Sequence, residues 1–260
     1  MNREEKARVL EKFNEYIKFS GTPAHQSQED LHAIHFSGII FMENYNHLIK
    51  LLNKYSNIEE CAILFDDDEK LKRAHLDVTR YFLNFIFSAI SLRDLSRNAI
   101  RRSEYLEKSF RSENDRKINQ YFKSEPVTKF IEDIRNVMTH QRMILPILNQ
   151  SSQTNMDGVH VVLTGGFAFS TLDLINLERM TDVSREYIAS HQSCIYFHDF
   201  VNKYKELISG YQSWLIESLY KNHREKYSDF WIAFEGYVGK WNGISLQHFN
   251  DQDLNQELIG

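Results

Sequence analysis

The chain has 260 residues, of which 42% are hydrophobic and 26% charged, with only three prolines and ten glycines. This excludes a disordered chain, leaves length for one large domain or two small ones, and favours long helices over many tight turns. The formal net charge of −5 argues against a whole-surface nucleic-acid binder while leaving room for a local basic groove.

Cys61 and Cys194 give no disulfide framework and no zinc spacing, and read as free thiols in a reducing compartment. The N-terminus, MNREEKARVLEKF, has no apolar signal-peptide core. The most apolar run, YFLNFIFSAISL at 81–92, is too short to span a bilayer and contains Asn84, Ser88 and Ser91. The expectation is a soluble cytoplasmic protein with no membrane partner.

In chain order, residues 3–19 read as a helix with Val9, Leu10, Phe13 and Ile17 at three- and four-residue steps. SGTPAHQ breaks it, and Ser27 is the expected N-cap of a second helix running to about 55. The acids of FDDDEK (65–70) suit the start of a third helix, about 68–103, which is apolar nearly all round from Tyr81 to Leu92 and so reads as the buried centre of a bundle. SFRSENDRKINQ reads as a polar connector. Ser124, Glu125 and Pro126 then start a fourth helix that Pro146 is placed to stop near Leu145.

GVHVVLTGGFAFSTL (158–172) breaks the helical pattern and reads as a β-hairpin turning at Thr164-Gly165-Gly166. A lone ribbon is marginal in water, so it should lie against the helices or a second subunit. A long helix at about 182–223 follows, with Phe197, Val201, Tyr204, Ile208, Tyr211 and Leu215 forming a packing seam. The aromatic-rich extension 226–260 should fold back on the bundle. The predicted fold is all-α, a single helical domain over 1–260 with long antiparallel helices and a small inserted hairpin.

The chemistry concentrates in DIRNVMTHQRMILP (133–146). Asn136 and His140 are four residues apart and share a helical face, which Glu132 extends by a turn. Arg135 lies about 140° round the axis from His140, so only its long stem could bring it beside the imidazole. This trio suits metal-free RNA cleavage. The imidazole can take a proton from a ribose 2′-hydroxyl or give one to the leaving oxygen, the guanidinium can stabilise the charged phosphorane, and the amide can orient either. The bare spacing is unspecific: 15 arginines and 11 histidines supply roughly 0.6 such pairs by chance. Requiring asparagine directly after the arginine lowers this to roughly 0.05. The bland alternative makes His140 and Arg142 surface residues and gives Asn136 a local hydrogen bond.

Two features extend the candidate site. Residues 93–123 hold nine basic groups against five acids, and Arg93, Arg97, Arg101 and either Arg102 or Arg111 fall along one helical face and its exit. They form a candidate phosphate track, the rival reading being a solvated helix end. Asn84, Ser88, Ser91 and Asn98 lie near one stripe of the third helix, and could brace Asn136 or His140, or bond carbonyls of their own helix. Other constellations are weaker. Glu29-x-x-His32 lacks the second pair a di-iron bundle needs, and no cysteine or acid pattern completes a metal shell around His25, His32 and His35. Asp66, Asp67 and Asp68 read as a helix-capping loop, and no Gly-Lys-Ser/Thr follows Gly165-Gly166.

FIEDIRNVMTHQRMILP resembles the signature of HEPN domains (higher eukaryotes and prokaryotes nucleotide-binding), all-helical bundles marked by Arg, four to six residues, then His, often with a polar residue after the Arg. Arg135, Asn136 and His140 match that pattern. RYFLNFIFSAISLRDLSR (80–97) is similar to the long central helix of bacterial HEPN-like proteins, and the likeness covers about residues 30–146. The resemblance implies a metal-independent endoribonuclease without cofactor. It also implies a homodimer with two motif copies around one cleft, RNA as substrate, and a toxin or antiviral role with an antitoxin or regulatory partner. Some HEPN domains are non-catalytic binding modules, and that is the rival reading. A buried, ion-paired Arg135 with His140 outside any cleft would favour it. A metal enzyme using His32 and His35 is a third reading.

Overall fold

The computed structural model describes residues 3–154 and 161–242. Helix α1 spans Arg3–Ile17. Thr22 then reverses the chain: its hydroxyl donates to the Phe19 carbonyl (2.8 Å) and accepts from the His25 N–H, capping α2, Pro23–Ser56. The expected cap, Ser27, lies inside α2, because proline pre-organises the first turn four residues earlier. Asn57 ends α2 and caps the short α3, Ile58–Phe65, by accepting from the Glu59 and Glu60 N–H groups. Asp67 caps α4, Asp68–Arg102, through the Lys70 N–H (3.0 Å).

The expected polar connector is helical. Helix α5, Lys108–Ile118, runs into a π-helical turn, Asn119–Lys123. Two buried contacts one turn apart hold α5. Phe110 stacks on Trp214 at 5.7 Å, and Asn114 accepts from the Tyr211 hydroxyl at 2.7 Å. Helix α6, Pro126–His140, stops five residues before the expected end. The Gln141 and Arg142 N–H groups both fold onto the Val137 carbonyl, and a strand begins at Ile147. His140 is therefore the last helical residue.

Strands β1 (Ile147–Thr154), β2 (Val161–Ser170) and β3 (Cys194–Tyr196) form an antiparallel sheet in that order. The β1–β2 register pairs Asn149 with Gly166 and Gln150 with Gly165, so the two glycines sit mid-strand and make no turn. Residues 158–160 of the expected hairpin lie outside the described residues. The glycines serve close packing. A Cβ on Gly165 would stand 3.1 Å from the Cys61 Sγ, and Gly166 adopts a φ of +154°, a conformation side chains disfavour. Helix α7 is Thr171–Ile175. The expected continuous helix at 182–223 is split into α8, Asp182–Ala189, and α9, Phe197–Lys226, because residues 194–196 pair with β2 instead. The predicted seam residues all lie on α9 and are all buried. Helix α10 is Ser228–Lys240.

The fold is all-α with a small β insertion, and α4 runs through its core. Phe85 stacks on Phe41 of α2 at 5.3 Å, and Phe82 meets Phe197 of α9 at 4.8 Å. The sheet lies against this core, with Phe167 on Tyr55 and His75 and Phe169 on Phe82 and Phe197. Helix α4 is not buried all round: Asn84 and Ser91 are exposed, and Phe87 keeps 41% of its surface. Helix α10 closes the far end, where Phe230, Phe234 and Tyr237 surround Phe19. Residues 243–260 of the aromatic-rich extension lie outside the described residues. Among the described residues, no helix is long and apolar enough to cross a membrane.

Candidate functional site

Helix α6 is fixed by its buried side. Asp133 is 1% exposed and accepts from the Thr181 N–H (2.9 Å), the Thr181 hydroxyl (2.7 Å) and the Ser184 hydroxyl (2.7 Å) at the start of α8. Burial pushes this carboxyl up. The bonds from Thr181 and Ser184, with Lys129 nearby, outweigh it, and the pKa is lowered. With Phe130, Ile134 and Val137 fully buried, α6 is locked in rotation, which sets where the motif points.

Arg135 is half-buried. Its Nε is enclosed without a hydrogen-bond partner, and the guanidinium has no carboxylate within ion-pair distance among the described residues. It lies near enough to Tyr204 of α9 for its charge to act on that phenol. Burial and the Glu132 carboxylate nevertheless raise the Tyr204 pKa. Asn136 is half-buried on the same ridge as Glu132, and His140 is exposed at the helix end. The Thr139 hydroxyl donates back to the Arg135 carbonyl (2.5 Å) and tightens that last turn. His140 is eight residues beyond Glu132, about 12 Å along the axis.

A cleft of about 380 Å³ opens between α4, the π-helical turn, α6 and α9. Arg93 and Arg97 of the predicted track line it, with Lys123 and Lys129 as further cations and Glu125 and Glu132 as the acids. Arg93 is tied to Glu132 at 2.8 Å and to Asp94 at 3.1 Å. Arg101 and Arg102 do not reach the cleft: Arg101 donates to Asn98, and Arg102 pairs with Asp30 at 2.6 Å. Arg111 is structural, donating to the Ile100 and Ser103 carbonyls that α4 leaves open at its end. Arg135, Asn136 and His140 line neither this cleft nor the shallower depression beside Arg142 and Asp173.

The polar stripe of α4 does not brace the motif. Asn84 and Ser91 face solvent, and the buried Ser88 bonds the Phe85 carbonyl of its own helix at 2.9 Å. Ala89, Arg93 and Ser96 face the cleft instead. His25 packs edge-on to Tyr16, while His32 and His35 are exposed. Among the described residues, no three His, Cys, Asp or Glu side chains converge as metal ligands would.

The cleft also holds polar groups that sequence reasoning missed, Ser96, Thr128 and Gln212. Gln212 carried a signal, for it lies on the stripe Tyr204–Ile208–Gln212, where a polar residue inside an apolar seam needs a partner. No protein-family profile, curated protein or solved structure matches this chain.

Proposed function

We propose that this protein is a metal-independent endoribonuclease of the HEPN type, acting as a homodimer. Arg135 holds the scissile phosphate, His140 moves the proton and Asn136 positions one of them. The supporting observation is the state of Arg135. The half-buried guanidinium has an enclosed, unpartnered Nε and, among the described residues, no carboxylate within ion-pair distance, and a phosphate would supply the anion. His140 stands open on the same helix, within reach of a single strand of RNA. In this reading the imidazole takes the 2′-hydroxyl proton as that oxygen attacks phosphorus, and the 5′-oxygen leaves with a proton from the second copy's imidazole or from water. Arg93 and Arg97 hold a neighbouring phosphate. A toxin or antiviral role, controlled by an antitoxin or regulatory protein, belongs to the same proposal.

The test is cleavage of single-stranded RNA by purified protein in EDTA. His140→Ala lowers the rate at least about 100-fold and Arg135→Ala by a similar factor, with unchanged circular dichroism. Equal activity in His140→Ala, or no cleavage of any RNA, overturns the proposal. A non-catalytic HEPN-like module that binds nucleotide, RNA or a partner protein is the second reading. What favours it is that His140 lines neither cavity. Under that reading RNA binds without being cut, and His140→Ala changes nothing.

A further inference from the structure

The cleft between α4 and α9 has the features of a built binding site. Gln212 is 8% exposed, and its Nε2 donates to the Ser96 hydroxyl at 3.1 Å. The single Ser96 proton is committed to the Leu92 carbonyl at 2.8 Å, so toward Gln212 that oxygen can only accept. This fixes the amide orientation and leaves Oε1, a strong acceptor, buried without a partner. On α6, which also lines the cleft, the Thr128 hydroxyl oxygen is likewise buried and unpartnered. Both belong to residues that line the cavity, and a buried polar atom is costly unless something supplies its hydrogen bond.

The surroundings say what that is. Between the polar atoms the lining is apolar and partly aromatic, with Leu92, Ile118, Phe122, Tyr204 and Ile208. At the mouth Arg97 and Lys123 are exposed, and neither has an ion-pair partner among the described residues. The acids of the cleft are engaged elsewhere: Glu132 by Arg93 and Lys129, Glu125 by Lys203. An occupant therefore meets an apolar interior, an acceptor in need of an N–H or O–H, and two uncompensated cations at the rim.

We propose that this cleft binds a small amphipathic organic anion. Its flat apolar body carries an N–H or O–H donor to Gln212 Oε1, and its acidic group lies between Arg97 and Lys123. The inference does not rest on ribonuclease activity, because Arg135, Asn136 and His140 lie outside the cleft.

The probe is 8-anilinonaphthalene-1-sulfonate, which combines an aromatic body, one N–H and one sulfonate. Titration of the full chain by fluorescence and calorimetry gives one saturable site. Gln212→Leu, which keeps the bulk and removes the acceptor, weakens binding at least tenfold. Arg97→Gln with Lys123→Gln does the same and flattens the salt dependence. Ile208→Trp, which fills the cleft, abolishes binding with the fold intact by circular dichroism. The uncharged N-phenyl-1-naphthylamine binds at least tenfold more weakly than the sulfonate. Absence of saturable binding, equal affinity for the neutral probe, or binding unchanged in both Gln212→Leu and Ile208→Trp overturns the proposal. These last two variants lie outside the predicted phosphate track, so loss of probe binding with RNA cleavage intact, or the reverse, separates the two readings.

Discussion

Asp133 and Arg135 are two residues apart on α6 and meet opposite fates. The carboxylate is saturated by Thr181 and Ser184, whereas the guanidinium Nε is enclosed with nothing to donate to. The first arrangement fixes the helix, and the second is the observation on which the proposed phosphate role of Arg135 rests. Asp133→Ala strands three donors at the α8 cap and should cost about 2–4 kcal/mol, read as a lower urea midpoint. Because its folded pKa is depressed, Asp133 contributes its full share of stability above its ordinary 3.8 and loses it as pH falls through the lowered value. The Asn-x-x-x-His pairing was legible in the sequence because helical spacing alone puts 136 and 140 on one face. The Arg135 environment was not, since it depends on Tyr204, sixty-nine residues further along the chain.

At the scale of elements, the long apolar stripes of α1, α2 and α4 were legible, as was the proline start of α6, whereas the cap of α2 was placed too late, at Ser27 rather than Thr22. Helix α5 was missed because its composition is polar and only Phe110 and Asn114 are buried. The break between α8 and α9 was missed because 194–196 suits either state until β2 offers an edge to pair with. The π-helical turn shows how one element depends on another. Its Tyr121 lies over Gly210 of α9, where a Cβ would stand 2.7 Å from the ring. Gly210→Ala should therefore destabilise by about 1–2 kcal/mol despite alanine's better helix propensity. In a Tyr121→Ser background the same substitution should become stabilising by up to about 1 kcal/mol. Urea midpoints of the four proteins give the comparison, and additive effects would show that Tyr121 is not what limits Gly210.

For the whole molecule, α2, α9 and α10 meet around a buried histidine. His223 is fully buried, with its Nε2 2.9 Å from the Ala24 carbonyl and its Nδ1 2.9 Å from the Trp231 indole nitrogen. The indole can only donate, so Nδ1 accepts, Nε2 carries the proton and the ring is neutral. Burial lowers its pKa, as it does for His75 and His198. The unfolded chain therefore takes up protons that the folded one refuses, and stability falls as pH drops below the ordinary histidine value of 6.5. The His223 share is at most about 1.4 kcal/mol per pH unit. Urea unfolding from pH 8 to 5 should show this slope, and His223→Gln should reduce it. An unchanged slope would show that His223 takes up its proton in the folded state.

The sequence by itself determined the helical class, because apolar residues at helical spacing with few prolines and glycines permit little else. It also placed Asn136 and His140 on one face, because that is a property of the helix alone. Tertiary structure decided the rest. It ended α6 at His140, moved the two glycines from a turn into a strand, and divided the four arginines of the track between the cleft and surface pairings. It also drew Ser96, Thr128 and Gln212 from three helices into one cavity. Apart from the local bonds to Val137 that close the end of α6, these depend on contacts between segments far apart in the chain, and local periodicity carries no record of such contacts.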